Sequence, residues 1–233
     1  MSYYAFKITQ QITLDKVIKV EIYETEEEQV AALKDWWKAS GSSVISGVVG
    51  AVVIVGGWNF WQNYQADKMN QASTVYEQLI TASAAGKADS VDAIASKLTT
   101  NFDSTAYSAY ALLFQAKAKV EAQDLSAAKD LLQQAITTTS DIEIKHVART
   151  RLIRVLLANN ELEQGLQAIA DVDQSALGGF SSVYEELKGD LYVAMARVGE
   201  ARTAYQTALK AGQGSPLLQF KLDDLTAADS IDG

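Results

Sequence analysis

The sequence of 233 residues contains no cysteine, one proline and one histidine. The lack of cysteine excludes disulfide frameworks, thiolate nucleophiles and cysteine-ligated zinc. The scarcity of proline, together with abundant alanine, favours long helices over strands. Acidic residues outnumber basic ones, and the net charge of −9 argues against a nucleic-acid partner, because polyanion binding requires a cationic surface. We therefore expect an all-α protein that does not bind nucleic acid.

Motifs that carry catalysis are also missing. His146 lies among basic residues, and no motif places a carboxylate or serine beside it, so a structural or solvated histidine is a better interpretation than a catalytic one. The glycine-rich segment 47–57 lacks the lysine of a phosphate-binding loop. The sequence predicts a non-enzymatic protein with no catalytic residue, no metal site and no cofactor.

The longest apolar segment, residues 42–61, has no charged side chain. As a helix it spans about 30 Å, the thickness of the hydrocarbon core of a bilayer. Two tryptophans stand on each side, as in interfacial aromatic belts; they are Trp36, Trp37, Trp58 and Trp61. A buried core helix is usually shorter, and a cleaved signal begins closer to the N-terminus. We predict an uncleaved transmembrane anchor at 42–62 that contacts the lipid bilayer.

Residues 1–41 are predicted to be a cytoplasmic N-terminal segment with a short amphipathic helix. Thr25 and Glu28 have the spacing of a capping box at its start, and Gly41 is expected to form a break or hinge before the anchor. Lys34 and Lys38 precede the anchor, whereas only Lys68 follows it at close range. This one-charge excess favours a cytoplasmic N-terminus.

A helix-turn-helix pattern repeats after the anchor. Mostly small residues recur at intervals of 37, 37 and 36 residues: Val91, Ala128, Gly165 and Ala201. Apolar residues recur three positions earlier and four positions later, which marks one helix face in each unit. This period is typical of tetratricopeptide-type solenoids, whose helix pairs stack on their neighbours. We predict a degenerate repeat domain at 63–225, followed by a tail at 226–233.

The first helix of each pair is expected to line a groove that binds a partner. Equivalent groove positions are occupied by Ile80, Lys117, Arg154 and Asp190, and Tyr110 lies nearby on the second unit. Lys117 and Arg154 are suited to an acidic partner segment. The alternative, that these are ordinary solvated charges on helix surfaces, stays open at this point.

Three segments together resemble the YfgM family of ancillary SecYEG translocon subunits: "YETEEEQVAALKDWW", "GGWNFWQNY" and "SPLLQFKLDDL". The resemblance covers Ile22 to Leu225 and leaves residues 1–21 outside. It implies a single-pass protein of the bacterial inner membrane with a cytoplasmic N-terminus and periplasmic repeats. It further implies an adaptor that works with SecYEG and a PpiD-type chaperone in handing exported proteins to periplasmic chaperones. Alternatives are a regulator of Rcs envelope-stress signalling, acting through the cytoplasmic segment, and a general envelope-assembly scaffold.

Overall fold

The structure is a computed structural model that describes residues 26–212 and 215–229. The described residues form nine α-helices and two short 3-10 turns, without a strand. The helices are α1 (Glu26–Ala84), α2 (Ala88–Asn101), α3 (Ala106–Glu121), α4 (Leu125–Thr138), α5 (Ile142–Ala158), α6 (Leu162–Ala170), α7 (Ser181–Ala194), α8 (Val198–Lys210) and α9 (Leu218–Asp229). The predicted all-α fold class is confirmed. Residues 1–21, the proposed capping residue Thr25 and residues 230–233 lie outside the described residues.

The chain divides into two units between Tyr64 and Gln65. In the first unit α1 continues through Gly41, so the predicted break at this glycine is wrong. Gly41 is buried, and a β-carbon placed there would lie 3.3 Å from the Trp37 indole ring. A helical glycine costs only about 1 kcal/mol relative to alanine, so one glycine among good helix formers does not end the helix.

The apolar part of α1 has almost no protein packed over it. Side chains such as Ile54 and Phe60 are 72% and 74% exposed, and only 6% of the most apolar window is buried. In the described part of the chain, α1 is the one helix long and apolar enough to cross a membrane. A core helix of a soluble domain would instead be covered by other elements. These features indicate a membrane-anchored protein.

In the second unit, the second helix of each pair begins at the predicted apolar column. Helices α2, α4, α6 and α8 start at Ala88, Leu125, Leu162 and Val198. The mostly small residues three positions later are all buried, as are the apolar residues four positions further on: Ala95, Leu132, Ile169 and Tyr205. These buried columns confirm the tetratricopeptide-like helix pairs.

The turn within each pair is built in the same way four times. Its central residue has a positive φ in every repeat: Gly86 (66°), Gln123 (62°), Asn160 (58°) and Ala196 (56°). The next residue donates its amide hydrogen to a carbonyl five positions earlier, as in Lys87 to Ala82 (3.1 Å) and Glu161 to Leu156 (2.8 Å). This is the Schellman arrangement, which satisfies the last carbonyls of the first helix. The four turns therefore fix one geometry for all four pairs.

The first helices of successive pairs lie side by side, because α3 contacts α5 and α5 contacts α7. The C-terminal helix α9 packs on α8 and covers the end of the stack with Leu218 and Leu225, both buried. A terminal helix of this kind protects the apolar face that the last repeat would otherwise expose. The row formed by α3, α5 and α7 is the surface on which the predicted groove residues lie.

Candidate partner-binding groove

Lys117 and Arg154 come together at one cavity, although they are far apart in sequence. The cavity has a volume of about 360 Å³ and lies among α3, α4 and α5. Its lining is mainly apolar: Ala116, Val120, Leu125, Leu132, Val155 and Ala158. The charged side chains that line it are Lys117, Glu121, Arg151 and Arg154. An apolar hollow with cationic side chains can hold an apolar group that has a negative charge beside it.

Among these charges, Lys117 pairs with Glu121 at 3.3 Å. Arg154 donates a long hydrogen bond of 3.5 Å to the carbonyl oxygen of Thr150. Desolvation and the positive charge of Arg154 both lower the pKa of the Arg151 guanidinium. The two arginines therefore repel each other on one face of α5 beside the cavity, and an anionic ligand would relieve that repulsion.

Tyr110 belongs to an aromatic cluster on the preceding turns of α3. The ring of Tyr76 lies 5.1 Å from Tyr107, 5.7 Å from Tyr110 and 5.9 Å from Phe114, measured between centroids. Burial and the neighbouring tyrosines raise the pKa of Tyr76. Tyr110, Phe114 and Lys117 follow the i, i+4, i+7 spacing of one helix face, so the aromatic cluster continues towards the cavity.

Asp190, the fourth predicted groove residue, is placed differently. Its carboxylate accepts hydrogen bonds from the Lys221 ammonium at 2.7 Å and from the Tyr205 hydroxyl at 2.7 Å. Lys221 also binds Glu186 at 2.9 Å, and Ser215 donates to Glu186 through both its amide and its hydroxyl. Burial lowers the pKa of Lys221, but the bonds to Asp190 and Glu186 outweigh it and raise the pKa overall. These contacts join α9 to α7.

His146 has a defined place inside the repeat domain. It is 2% exposed, and its Nε2 lies 3.0 Å from the carbonyl oxygen of Ala176 while its Nδ1 lies 2.9 Å from the Tyr184 hydroxyl. A carbonyl can only accept, so Nε2 donates to Ala176 and, in the neutral ring, Nδ1 accepts from Tyr184. The Phe180 ring stacks on the imidazole at 5.0 Å. These contacts make His146 part of the packing between α5 and α7.

Sequence reasoning missed Arg151, Tyr76 and Phe114 as groove residues. Arg151 precedes Arg154 by three positions, a spacing that places both on one helix face. The spacing of Phe114 from Tyr110 gave the same signal. Tyr76 lies on α1, which contributes to the first repeat after the apolar segment has ended. The repeat register assigns this part of the helix to the groove through Ile80, which is exposed there, but it gives no signal for Tyr76 itself.

The fold and groove define a class: a single apolar helix followed by a tetratricopeptide-like repeat domain. A profile of the tetratricopeptide repeat-like domain matches residues 34–227. A relative from Escherichia coli (strain K12), named "Ancillary SecYEG translocon subunit", is 31% identical over 210 residues, which cover 89% of this chain and 100% of the relative. A relative of the same name from Haemophilus influenzae is 31% identical over 202 residues, or 86% and 97% of the two chains. No solved structure matches the chain significantly.

The chain therefore belongs to the family of ancillary SecYEG translocon subunits, the YfgM family, as the resemblance of its sequence motifs implied. One motif now has a structural explanation. "SPLLQFKLDDL" supplies Ser215 and Lys221 to the network around Glu186, and Leu218 and Leu225 to the core beneath α9. This motif closes the repeat domain.

Proposed function

We propose that this protein is a non-enzymatic, membrane-anchored adaptor of the SecYEG translocon. The observation that carries the proposal is the relationship to translocon subunits over nearly the whole chain. The apolar helix supports it, because a bilayer anchor keeps the repeat domain at the membrane. The groove supports it as well, because a cavity and an aromatic cluster on adjoining helices offer a surface for a protein partner.

The finer parts of the proposal concern location and chaperones. We propose that the protein spans the inner membrane once, with its N-terminus in the cytoplasm and its repeats in the periplasm. There it works with a PpiD-type chaperone to pass exported chains to periplasmic chaperones. The excess of lysines before the anchor supports this orientation.

Orientation can be tested directly because the chain contains no cysteine. A single cysteine replacing the exposed Gln133 on α4 should react with a membrane-impermeant maleimide added to cells whose outer membrane is permeable. A matched chain without cysteine controls for background labelling. Protection of Gln133→Cys until the inner membrane is opened would place the repeats in the cytoplasm and contradict the proposal.

Partner binding can be tested by photo-crosslinking in native membranes. A photoreactive phenylalanine analogue at Tyr110, Lys117 or Arg154 should capture translocon subunits, the chaperone or exported chains. The same analogue at Gln133 or Gln206, exposed on the second helices α4 and α8, is the matched control. Equal capture from both sets of positions would show that the groove is not the binding surface. Failure of the unmodified chain to copurify with SecYEG would contradict the adaptor function itself.

A further inference from the structure

The cavity beside Arg151 and Arg154 combines two properties that point to one kind of ligand. Its volume of about 360 Å³ falls within the range of roughly 300–1,000 Å³ that is common for ligand sites. The lining includes Val120, Leu132 and Val155, so an apolar side chain inserted there would be transferred out of water.

The charges at the cavity have no full counterpart within the described part of the chain. Glu121 is the one carboxylate among the lining residues, and its contact is with Lys117. Two guanidinium groups thus face the cavity without a carboxylate paired to them in the described structure. Arginine presents a planar set of donors that matches a carboxylate in a bidentate geometry.

We propose that the cavity binds an apolar side chain of a partner protein and that Arg151 and Arg154 hold carboxylates next to it in sequence. The ligand is thus an acidic protein segment with an aliphatic or aromatic anchor residue. This inference rests on the proposed adaptor function and names the chemistry of the partner at that groove.

A protein segment fits better than an anionic lipid surface. Residues 65–233 contain 22 acidic and 15 basic residues, a net charge of −7, so the repeat domain is repelled by a negatively charged bilayer surface. A local cationic site in an acidic protein instead selects a ligand small enough to meet only that site. The aromatic cluster at Tyr110, one to two helical turns along α3 from Lys117, extends the contact surface for such a segment.

The test uses three fluorescein-labelled peptides and the full chain in zwitterionic detergent micelles. The peptide GSELELESG has both features, GSQLQLQSG lacks the carboxylates and GSESESESG lacks the apolar residues. Fluorescence anisotropy should show binding of the first peptide at least about tenfold tighter than binding of the other two. Added salt should weaken the binding of the first peptide, because ion pairs at a solvent-accessible site are screened.

The double variant Arg151→Gln with Arg154→Gln should lower the affinity for GSELELESG by about tenfold or more. Lys97→Gln, on the outer helix α2, removes the same kind of charge from an exposed position and should leave the affinity unchanged. Ala158→Leu fills the cavity from the exposed end of α5 without changing charge and should weaken binding of the same peptide. Circular dichroism of each variant confirms that it is folded.

Equal binding of the three peptides, or unchanged binding by both groove variants, would overturn the inference. Displacement of the peptide by phosphatidylglycerol but not by phosphatidylcholine, each added as mixed micelles in the same detergent, would assign the site to a lipid headgroup and also overturn it. Copurification of the unmodified chain with SecYEG is scored separately. Copurification without selective peptide binding refutes the inference alone, whereas selective binding without copurification refutes the adaptor function.

Discussion

One residue in each of the four turns has a positive φ, and this allows a prediction in which glycine-to-alanine substitution has opposite effects at two sites. Gly86 has a φ of 66°, and a β-carbon added there has no atom within 4 Å. Gly199 lies in α8, and a β-carbon added there likewise has no atom within 4 Å. Neither substitution by alanine changes packing, so only backbone conformation distinguishes them.

Gly86→Ala should destabilise the protein. An L-residue in the left-handed region costs about 1–2 kcal/mol. Alanine recovers about 0.4–1 kcal/mol of this cost, because it has less conformational entropy to lose on folding. The net loss lies between 0 and about 1.6 kcal/mol, and its midpoint of about 0.8 kcal/mol lowers the Tm of a domain of this size by about 2–3 °C. Gly199→Ala should instead raise the Tm, because alanine is favoured over glycine in a helix; the gain is below the roughly 1 kcal/mol of a helix interior, since Gly199 lies in the first turn of α8.

The reverse change provides an independent check at the fourth turn. Ala196 has a φ of 56° and an exposed side chain. Ala196→Gly should therefore stabilise the protein by about 0.5–1 kcal/mol, since strain is relieved without loss of packing. Thermal unfolding of the full chain in detergent, followed by circular dichroism at the helix band, measures all three variants. A lower Tm for Ala196→Gly, or an unchanged Tm for Gly86→Ala, would refute the assignment of these turns.

Three further predictions concern the interior of the repeat domain. Gly189→Ala places a β-carbon 2.2 Å from the buried Tyr205 ring, so urea unfolding should show a loss of about 1–3 kcal/mol or more. Tyr184→Phe leaves the Nδ1 of His146 without its partner, and a loss of about 1–3 kcal/mol is expected in the same assay; an unchanged midpoint would contradict that hydrogen bond. Burial raises the pKa of Glu186, but bonds from Lys221 and Ser215 outweigh it and lower the pKa below its ordinary 4.5. The stabilisation that Glu186 contributes is present above that value and is lost as the pH falls below it. In Glu186→Gln the free energy of unfolding should therefore decrease less between neutral and acidic pH than in the unmodified chain. The same pH dependence in both proteins would contradict the coupling.

The sequence was sufficient to predict the repeats, because their signal is periodic and local. The columns beginning at Ala88 and Val91 depend only on helix geometry and on spacing along the chain. Continuity of α1 through Gly41 was not predictable in the same way. A helical glycine and a helix-ending glycine look alike in sequence, and here the Trp37 indole covers the glycine within the helix.

The groove residues were predicted less completely, because side-chain partners depend on how helices pack. Their equivalent positions in the repeat placed Lys117, Arg154 and Asp190 on the first helices. The repeat period did not reveal which side chain each of them contacts. Asp190 meets Lys221 from α9, the helix that follows the last of the four pairs. Arg151 lines the cavity that forms where α3, α4 and α5 pack together, and the repeat period does not specify that packing.

The weakness of the repeat consensus has a physical explanation in two facing columns. The first helices contribute Leu79, Ala116, Ile153 and Gly189, and the second helices contribute Ala95, Leu132, Ile169 and Tyr205. In the first three repeats both members belong to the same buried cluster, and in the fourth the tyrosine ring lies against the glycine. Close packing constrains the combined volume of the two side chains more tightly than it constrains the volume of either one. In three of the four repeats, a large residue in one column therefore accompanies a small residue in the other. Each column read alone therefore looks degenerate, although the pairs form a consistent core.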